Sequence, residues 1–146
     1  MSTVKPIPEG YHTVTPYLIV KGGEQLIEFL KQAFGAEEIY RSTKPDGTIG
    51  HTQLRIGDSM VELAEGNDQW KPMTSALHLY VPDTDATYRR AIEAGGTSLF
   101  EVSDTFYGDR SGGVADPSGN QWYIATRQEE LSDEEVHRRA VAEGKA

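Results

Sequence analysis

Sliding the 146-residue chain along itself by 61 positions lays Tyr17-Leu-Ile-Val20 on His78-Leu-Tyr-Val81 and Gly35 on Gly96. A repeat of this kind constrains the fold more than any other feature, because each half must form the same supersecondary unit. In both halves a short apolar run precedes a helical stretch, Glu24 to Phe34 and Asp85 to Ala94. Each stretch closes on a glycine suited to the left-handed conformation that ends helices. The first helix carries Leu26, Ile27, Leu30, Ala33 and Phe34 as one apolar stripe, and Ala86, Tyr88, Ala91 and Ile92 are its counterparts.

Three strands follow each helix. In the first half they run over Glu37 to Ser42, Gly50 to Ile56 and Ser59 to Ala64, separated by Pro45-Asp-Gly47 and by a tight Gly57-Asp58 turn. In the second half they run over Leu99 to Ser103, Gly113 to Ala115 and Gln121 to Thr126. The connections are a loop through Tyr107-Gly-Asp-Arg110 and the turn Asp116-Pro-Ser-Gly119. The expected fold class is α+β: two tandem βαβββ modules, residues 14–64 and 75–126, forming a curved mixed sheet with helices on its outer face. They make one domain over residues 9–127, with an N-terminal arm at 1–8 and a C-terminal helical tail at 131–146. In the tail, Ser132 and Glu135 form a capping box, and the reading is a solvated helix lying on the body or a dimer arm.

Pairing across Gly57-Asp58 sets Ile56 opposite Ser59, Arg55 opposite Met60, Leu54 opposite Val61, Gln53 opposite Glu62 and His51 opposite Ala64. Thr52, Leu54, Ile56, Val61 and Leu63 then face the helices, and His51, Gln53, Arg55, Met60 and Glu62 face away. The same alternation turns Leu77, Leu79, Trp122 and Ile124 inward and leaves Ala76, His78, Tyr80, Gln121 and Tyr123 on the other side. The candidate ligand-binding residues are therefore His51, Gln53, Glu62, His78, Tyr80 and Tyr123, lining one cup of polar groups among aromatics. Arg110, in a loop, would reach over the cup mouth to an anionic ligand or pair with Asp104 or Asp109. A polar sheet face can also be merely solvated, and His12 and His137 read as surface residues.

Composition removes several function classes. A formal charge of −9 leaves no basic stripe for a nucleic-acid backbone. The absence of cysteine excludes thiolate metal sites and thiol nucleophiles. No glycine-rich phosphate loop, no H-E-x-x-H and no nucleophile elbow occurs. No apolar run approaches the roughly 18 residues of a membrane helix, so a cytoplasmic protein with no membrane partner is expected.

Tyr17-Leu-Ile-Val-Lys21, Phe29-Leu-Lys-Gln-Ala-Phe-Gly-Ala36, Leu54-Arg-Ile-Gly-Asp-Ser59 and Asp116-Pro-Ser-Gly-Asn-Gln-Trp122 together resemble the vicinal-oxygen-chelate superfamily, the glyoxalase, bleomycin-resistance and dioxygenase group. Leu77-His-Leu-Tyr-Val81 and Tyr107-Gly-Asp-Arg110 are closest to its PhnB-like branch. The resemblance covers residues 9 to about 127. It implies a divalent metal held at the first and fourth strands of each module, which here are Thr15 and Glu62, then Ala76 and Tyr123. Of these only Glu62 is a good ligand, so the standard site is expected to be missing. A displaced site of His51, Glu62 and His78 would suit Zn, Ni, Fe or Mn.

Three functions stay open. One is a binding protein that sequesters a small organic molecule. A second is a metal-dependent lyase, isomerase or dioxygenase. A third is a metal-free enzyme using Glu62 with His78 in acid–base roles, Glu62 being the candidate catalytic residue in any enzyme reading. The resemblance also implies a homodimer, with each cup made within one chain or between two.

Overall fold

The structure, a computed structural model, describes residues 3–145, so the first two residues of the expected arm and the last residue of the tail lie outside the described residues. The element order is β1 (Tyr17–Val20), α1 (Gly23–Phe34), β2 (Glu37–Thr43), β3 (Ile49–Ile56), β4 (Ser59–Glu65), β5 (Ala76–Tyr80), α2 (Thr84–Glu93), β6 (Thr97–Asp104), β7 (Asp109–Ala115), β8 (Gln121–Arg127) and α3 (Asp133–Ala142). This is the expected α+β class with two βαβββ modules. The strands divide into two four-stranded sheets, β1-β4-β3-β2 and β5-β8-β7-β6. In each, the first strand runs parallel to the fourth and the remaining pairs are antiparallel.

One core serves both modules. Leu18, Leu26, Ile27, Leu30, Leu54 and Leu63 of the first belong to the same buried cluster as Ala91, Val114, Trp122 and Ile124 of the second. Helix α1 makes much of this junction: Phe29 and Phe34 meet edge-on, and the Phe34 ring lies 4.9 Å from Trp122. Burial on more than one side explains why α1 is more apolar than an ordinary surface helix. Gly96 is small for the same reason, since a Cβ there would stand 3.1 Å from the Phe29 ring and 2.8 Å from the Ala91 carbonyl. The positive φ that ends the second helix falls on Gly95 rather than Gly96, whereas Gly35 takes the expected left-handed cap of the first.

The motif Asp116-Pro-Ser-Gly-Asn-Gln-Trp122 is a buried hydrogen-bond knot. The Asp116 carboxylate accepts from Trp122 Nε1 at 2.8 Å and from Asn120 Nδ2 and the Ser118 and Asn120 amides, while Asn120 Oδ1 accepts from the Ser75 amide. A buried carboxylate with four donors is fully satisfied, and it locks the turn that starts β8 beside β5. The tail lies on its own module: Ser132 Oγ caps α3 by accepting from the Glu135 amide, Arg139 reaches Glu129 and Glu135, and Lys145 sits over the Phe106 ring. No helix among the described residues is long and apolar enough to cross a membrane.

Candidate functional site

The face of the first sheet turned away from the core, its open face, carries a polar cluster of His51, Gln53 and Glu62. The hairpin register is the expected one from Ile56 opposite Ser59 to Gln53 opposite Glu62. Between β2 and β3 the ladder slips, with Arg41 facing Thr52 but Thr43 facing Ile49. The slip places a bulge at Gly50 and His51, fastened by Ser42, whose Oγ accepts from the His51 amide at 2.8 Å. Gly50 is required there, since a Cβ would stand 2.7 Å from Ser42 Oγ. Strict alternation would put Ile49 on the open face with His51. The bulge instead returns Ile49 to the core at 3% exposure and keeps His51 on the open face.

His51 Nε2 lies 3.0 Å from Glu62 Oε1, and the two side chains are partly buried. For this contact Nε2 must carry the proton, so in the neutral ring Nδ1 accepts, and the Tyr17 hydroxyl stands 3.4 Å from it. Gln53 Nε2 is 3.4 Å from His51 Nε2. With the Nε2 proton directed at Glu62, the Gln53 amide keeps hydrogen-bonding capacity for a further group. Tyr17 stacks on the imidazole at 5.7 Å, and Tyr40, opposite Gln53 in the ladder, tilts over it at 6.4 Å.

The N-terminal segment roofs one side of this cluster. Residues from Pro6 to Thr15 border, with Gln53 and Glu62, an open cavity of about 500 Å³. The Tyr11 hydroxyl is shut off from solvent without a protein hydrogen-bond partner. Burial first, and then the neighbouring Glu62 charge, raises its pKa. On the other side of Tyr17 a second cavity, about 420 Å³, runs past Ile19, Ala64 and Lys44 to Trp70. Both volumes fall within the range of small-molecule sites.

The remaining expected residues stand elsewhere. His78 and Tyr80 project from the open face of the second sheet, their rings 4.7 Å apart, and His78 lines a small cavity with Thr15 and Met60 rather than the Glu62 cavity. The Tyr80 hydroxyl donates to the buried Asp109 carboxylate at 2.9 Å, a contact that raises the Tyr80 pKa. Tyr123 donates to Gln121 and stacks on Phe100. Arg110 lies in β7, not in a loop. It forks onto Asp85 at the start of α2 and reaches Asp104, so its charge is committed within the fold. The structure thus unites His51, Gln53 and Glu62 and leaves His78, Tyr80, Tyr123 and Arg110 apart from them.

The four positions where the resemblance places metal ligands hold Thr15, Glu62, Ala76 and Tyr123. Of these only Glu62 is of the His, Asp or Glu type, and among the described residues no group of three or more such side chains converges where it could hold a metal ion. Glu65, the other carboxylate near Tyr17, accepts from the Gly22 and Gly23 amides at 2.9 and 2.8 Å and caps α1. Sequence reasoning passed over Tyr11, Tyr17, Tyr40 and Ser42. Tyr17 was legible as the repeat partner of His78, and Tyr40 needed only the β2–β3 register. Nothing in the sequence marked Tyr11.

The family model of the Glyoxalase/Bleomycin resistance protein/Dioxygenase superfamily matches residues 11–124. The chain belongs to this superfamily. Similar members include the uncharacterised proteins Mb0911c of Mycobacterium bovis and Rv0887c of Mycobacterium tuberculosis. Each is 34% identical over 142 residues, spanning 90% of this chain and 93% and 84% of the relatives. Among solved structures, TioX from Micromonospora sp. ML1 aligns with a TM-score of 0.69 at 20% identity, covering 80% of this chain and 98% of TioX. TnmS3, an antibiotic binding protein from Streptomyces sp. CB03234, aligns with a TM-score of 0.65 at 20% identity, covering 86% and 100%. A glyoxalase-related enzyme from Fulvimarina pelagi aligns with a TM-score of 0.64 at 20% identity, covering 79% and 87%.

Proposed function

We propose that this protein binds a small organic molecule on the open face of its first module, without the metal of the superfamily's enzymes. One observation carries the reading: a His51–Glu62–Gln53 cluster lies under the Tyr17 and Tyr40 rings, between two cavities, while of the four superfamily metal positions, Thr15, Glu62, Ala76 and Tyr123, only Glu62 carries a ligand-type side chain. Aromatic rings supply contact area at little entropic cost. The polar floor supplies direction: Glu62 accepts, Gln53 does both, and His51 is held in one tautomer between Glu62 and Tyr17. The antibiotic-binding role of TnmS3 shows that this fold serves binding proteins, and the glyoxalase-related enzyme of Fulvimarina pelagi that it serves enzymes as well; the threonine, alanine and tyrosine at three of the four metal positions are what favour a resistance-type or sequestering protein here. Within the superfamily we place it in the PhnB-like branch, as a cytoplasmic protein.

We further propose a homodimer. The open face of the second sheet leaves Tyr80 63% and Phe100 43% exposed beside His78 and Tyr123, an aromatic surface that a second copy would cover. The test of the whole reading is a thermal-shift panel of organic compounds on protein purified without chelator, together with its metal content. Stabilisation by organic compounds, with metal below about a tenth of an equivalent and no shift on adding Zn, Ni, Fe or Mn, supports a binder. A stoichiometric metal, or a shift seen with metal alone, establishes the metal-enzyme reading instead.

A further inference from the structure

We infer that the cavity between Tyr17 and Trp70 selects a planar aromatic molecule bearing a carboxylate or similar anion, with Lys44 as the anion's partner; this rests on the proposed small-molecule reading and names its ligand class. The walls are apolar or aromatic: Tyr17 and Ile19 from β1, Ala64 from β4 and Trp70 from the loop after β4. Trp70 is held out by its own turn, in which Asn67 Oδ1 accepts from the Gln69 and Trp70 amides and the Asn67 amide donates to the Trp70 carbonyl. The ring is 60% exposed, on the rim of the cavity. A large aromatic fixed by backbone hydrogen bonds yet left uncovered is a stacking surface rather than a piece of core.

Lys44 is the cation of this cavity. It stands at the base of the β2–β3 turn, where its amide donates to the Thr48 carbonyl and its own carbonyl accepts from the Gly47 amide. Its side chain is directed past Gly50, which has no side chain to obstruct it, and Nζ reaches the Glu65 carbonyl at 3.4 Å. The nearest cavity carboxylate, that of Glu65, is already bound to the start of α1. Among the described residues no carboxylate lies within ion-pair distance of Lys44; the Asp46 carboxylate, held by the Thr48 amide and hydroxyl, feels its charge only from farther off. A half-buried ammonium with one long hydrogen bond to a neutral carbonyl retains two further donors, and a ligand anion among aromatic walls would be their natural acceptor. The chain's formal charge of −9 disfavours anions in general. The selectivity therefore requires the aromatic body and the anion in one molecule.

Calorimetric titration with 2-naphthoate and its uncharged counterpart 2-naphthamide tests this on the full chain. Wild type should bind the acid about tenfold more tightly than the amide, the gap expected of one charge-assisted contact. Lys44→Met should close the gap, Lys44→Arg should keep most of it, and Trp70→Ala should weaken both compounds several-fold. Unchanged melting temperatures of these exposed-site variants exclude misfolding as the cause. Equal affinities in wild type, a gap that survives Lys44→Met, or no binding of either compound overturns the inference. Amide binding that responds to Glu62→Gln but not to Lys44→Met overturns it while leaving the small-molecule site in place.

Discussion

Where the first sheet sets Gln53 opposite Glu62, with Tyr40 alongside, the second sets Gly113 opposite Tyr123, with Phe100 alongside. The two open faces occupy equivalent places in the repeat and have diverged in chemistry. On the first, a carboxylate, an imidazole and an amide meet beneath two tyrosines. On the second, the position of Gln53 is emptied to glycine and filled by the Phe100 ring, which leaves no space for a Cβ on Gly113: its position would be 2.3 Å from Phe100 Cε1. The second face closes its polar groups on each other, Tyr80 on Asp109 and Tyr123 on Gln121. The difference teaches that one module of a duplicated fold can gather polar groups on its open face while its twin turns the equivalent positions to packing.

The two faces nevertheless hang on one core, and the largest effect should show it. Trp122→Ala removes the ring that Phe34 packs against and strips Asp116 of a donor. It should cost about 3–5 kcal/mol and lower both modules in a single denaturation transition, read by urea melts followed at two probes. Separate transitions would mean that the modules are independent units. Tyr80→Phe leaves the buried Asp109 carboxylate without its hydroxyl donor and should cost about 1–3 kcal/mol, whereas Tyr17→Phe should cost under about 0.5 kcal/mol in the same assay. Equal costs would remove the division between a structural and a functional face.

Binding should show the opposite bias. Glu62→Gln keeps the shape and loses the charge, so ligand affinity should fall about tenfold, while Tyr123→Phe at the equivalent position should change it less than about twofold, measured by calorimetry with any compound found in the panel. The smallest effect lies outside both faces. Arg138 and Arg139 bring the Glu135 carboxyl from the ordinary 4.5 down to about 2. A lowered folded-state pKa means that this contribution is complete above about 4.5 and is lost as the pH falls toward about 2. The protection of the α3 amides, their exchange relative to the intrinsic rate at each pH, should therefore fall over that acid range before that of the shared core does.

Much of the architecture was legible in the sequence because a repeat and strand alternation are strong, redundant signals. The two helices, the Gly57-Asp58 hairpin register and the Ser132 cap appear as read. The second module was harder: β7 begins at Asp109, inside what reads as a loop, because Ser111-Gly-Gly113 carries no strand-like side chains and its pairing comes from β6 and β8. The site was legible in part. Glu62, Gln53 and His51 follow from the hairpin, yet His51 keeps its face through a bulge that alternation does not describe. The constant offset of 61 also fails within the hairpins. Gly113 and Phe100 stand 60 positions after Gln53 and Tyr40, while Tyr123 stands 61 after Glu62, because the stretch between Gly113 and its partner Tyr123 is one residue longer than that between Gln53 and Glu62. Which sheet faces share a cavity depends on how the modules pack, and His78 was joined to Glu62 for want of that information.

The most direct measurement is a map of backbone amide shifts during titration with a compound that stabilises the protein. The account predicts that the perturbed amides cluster on β1, β3 and β4, around Tyr17, His51, Gln53 and Glu62, with β5 to β8 silent. Perturbations centred on Tyr80, Phe100 and Tyr123 instead would place the site on the other module and contradict it.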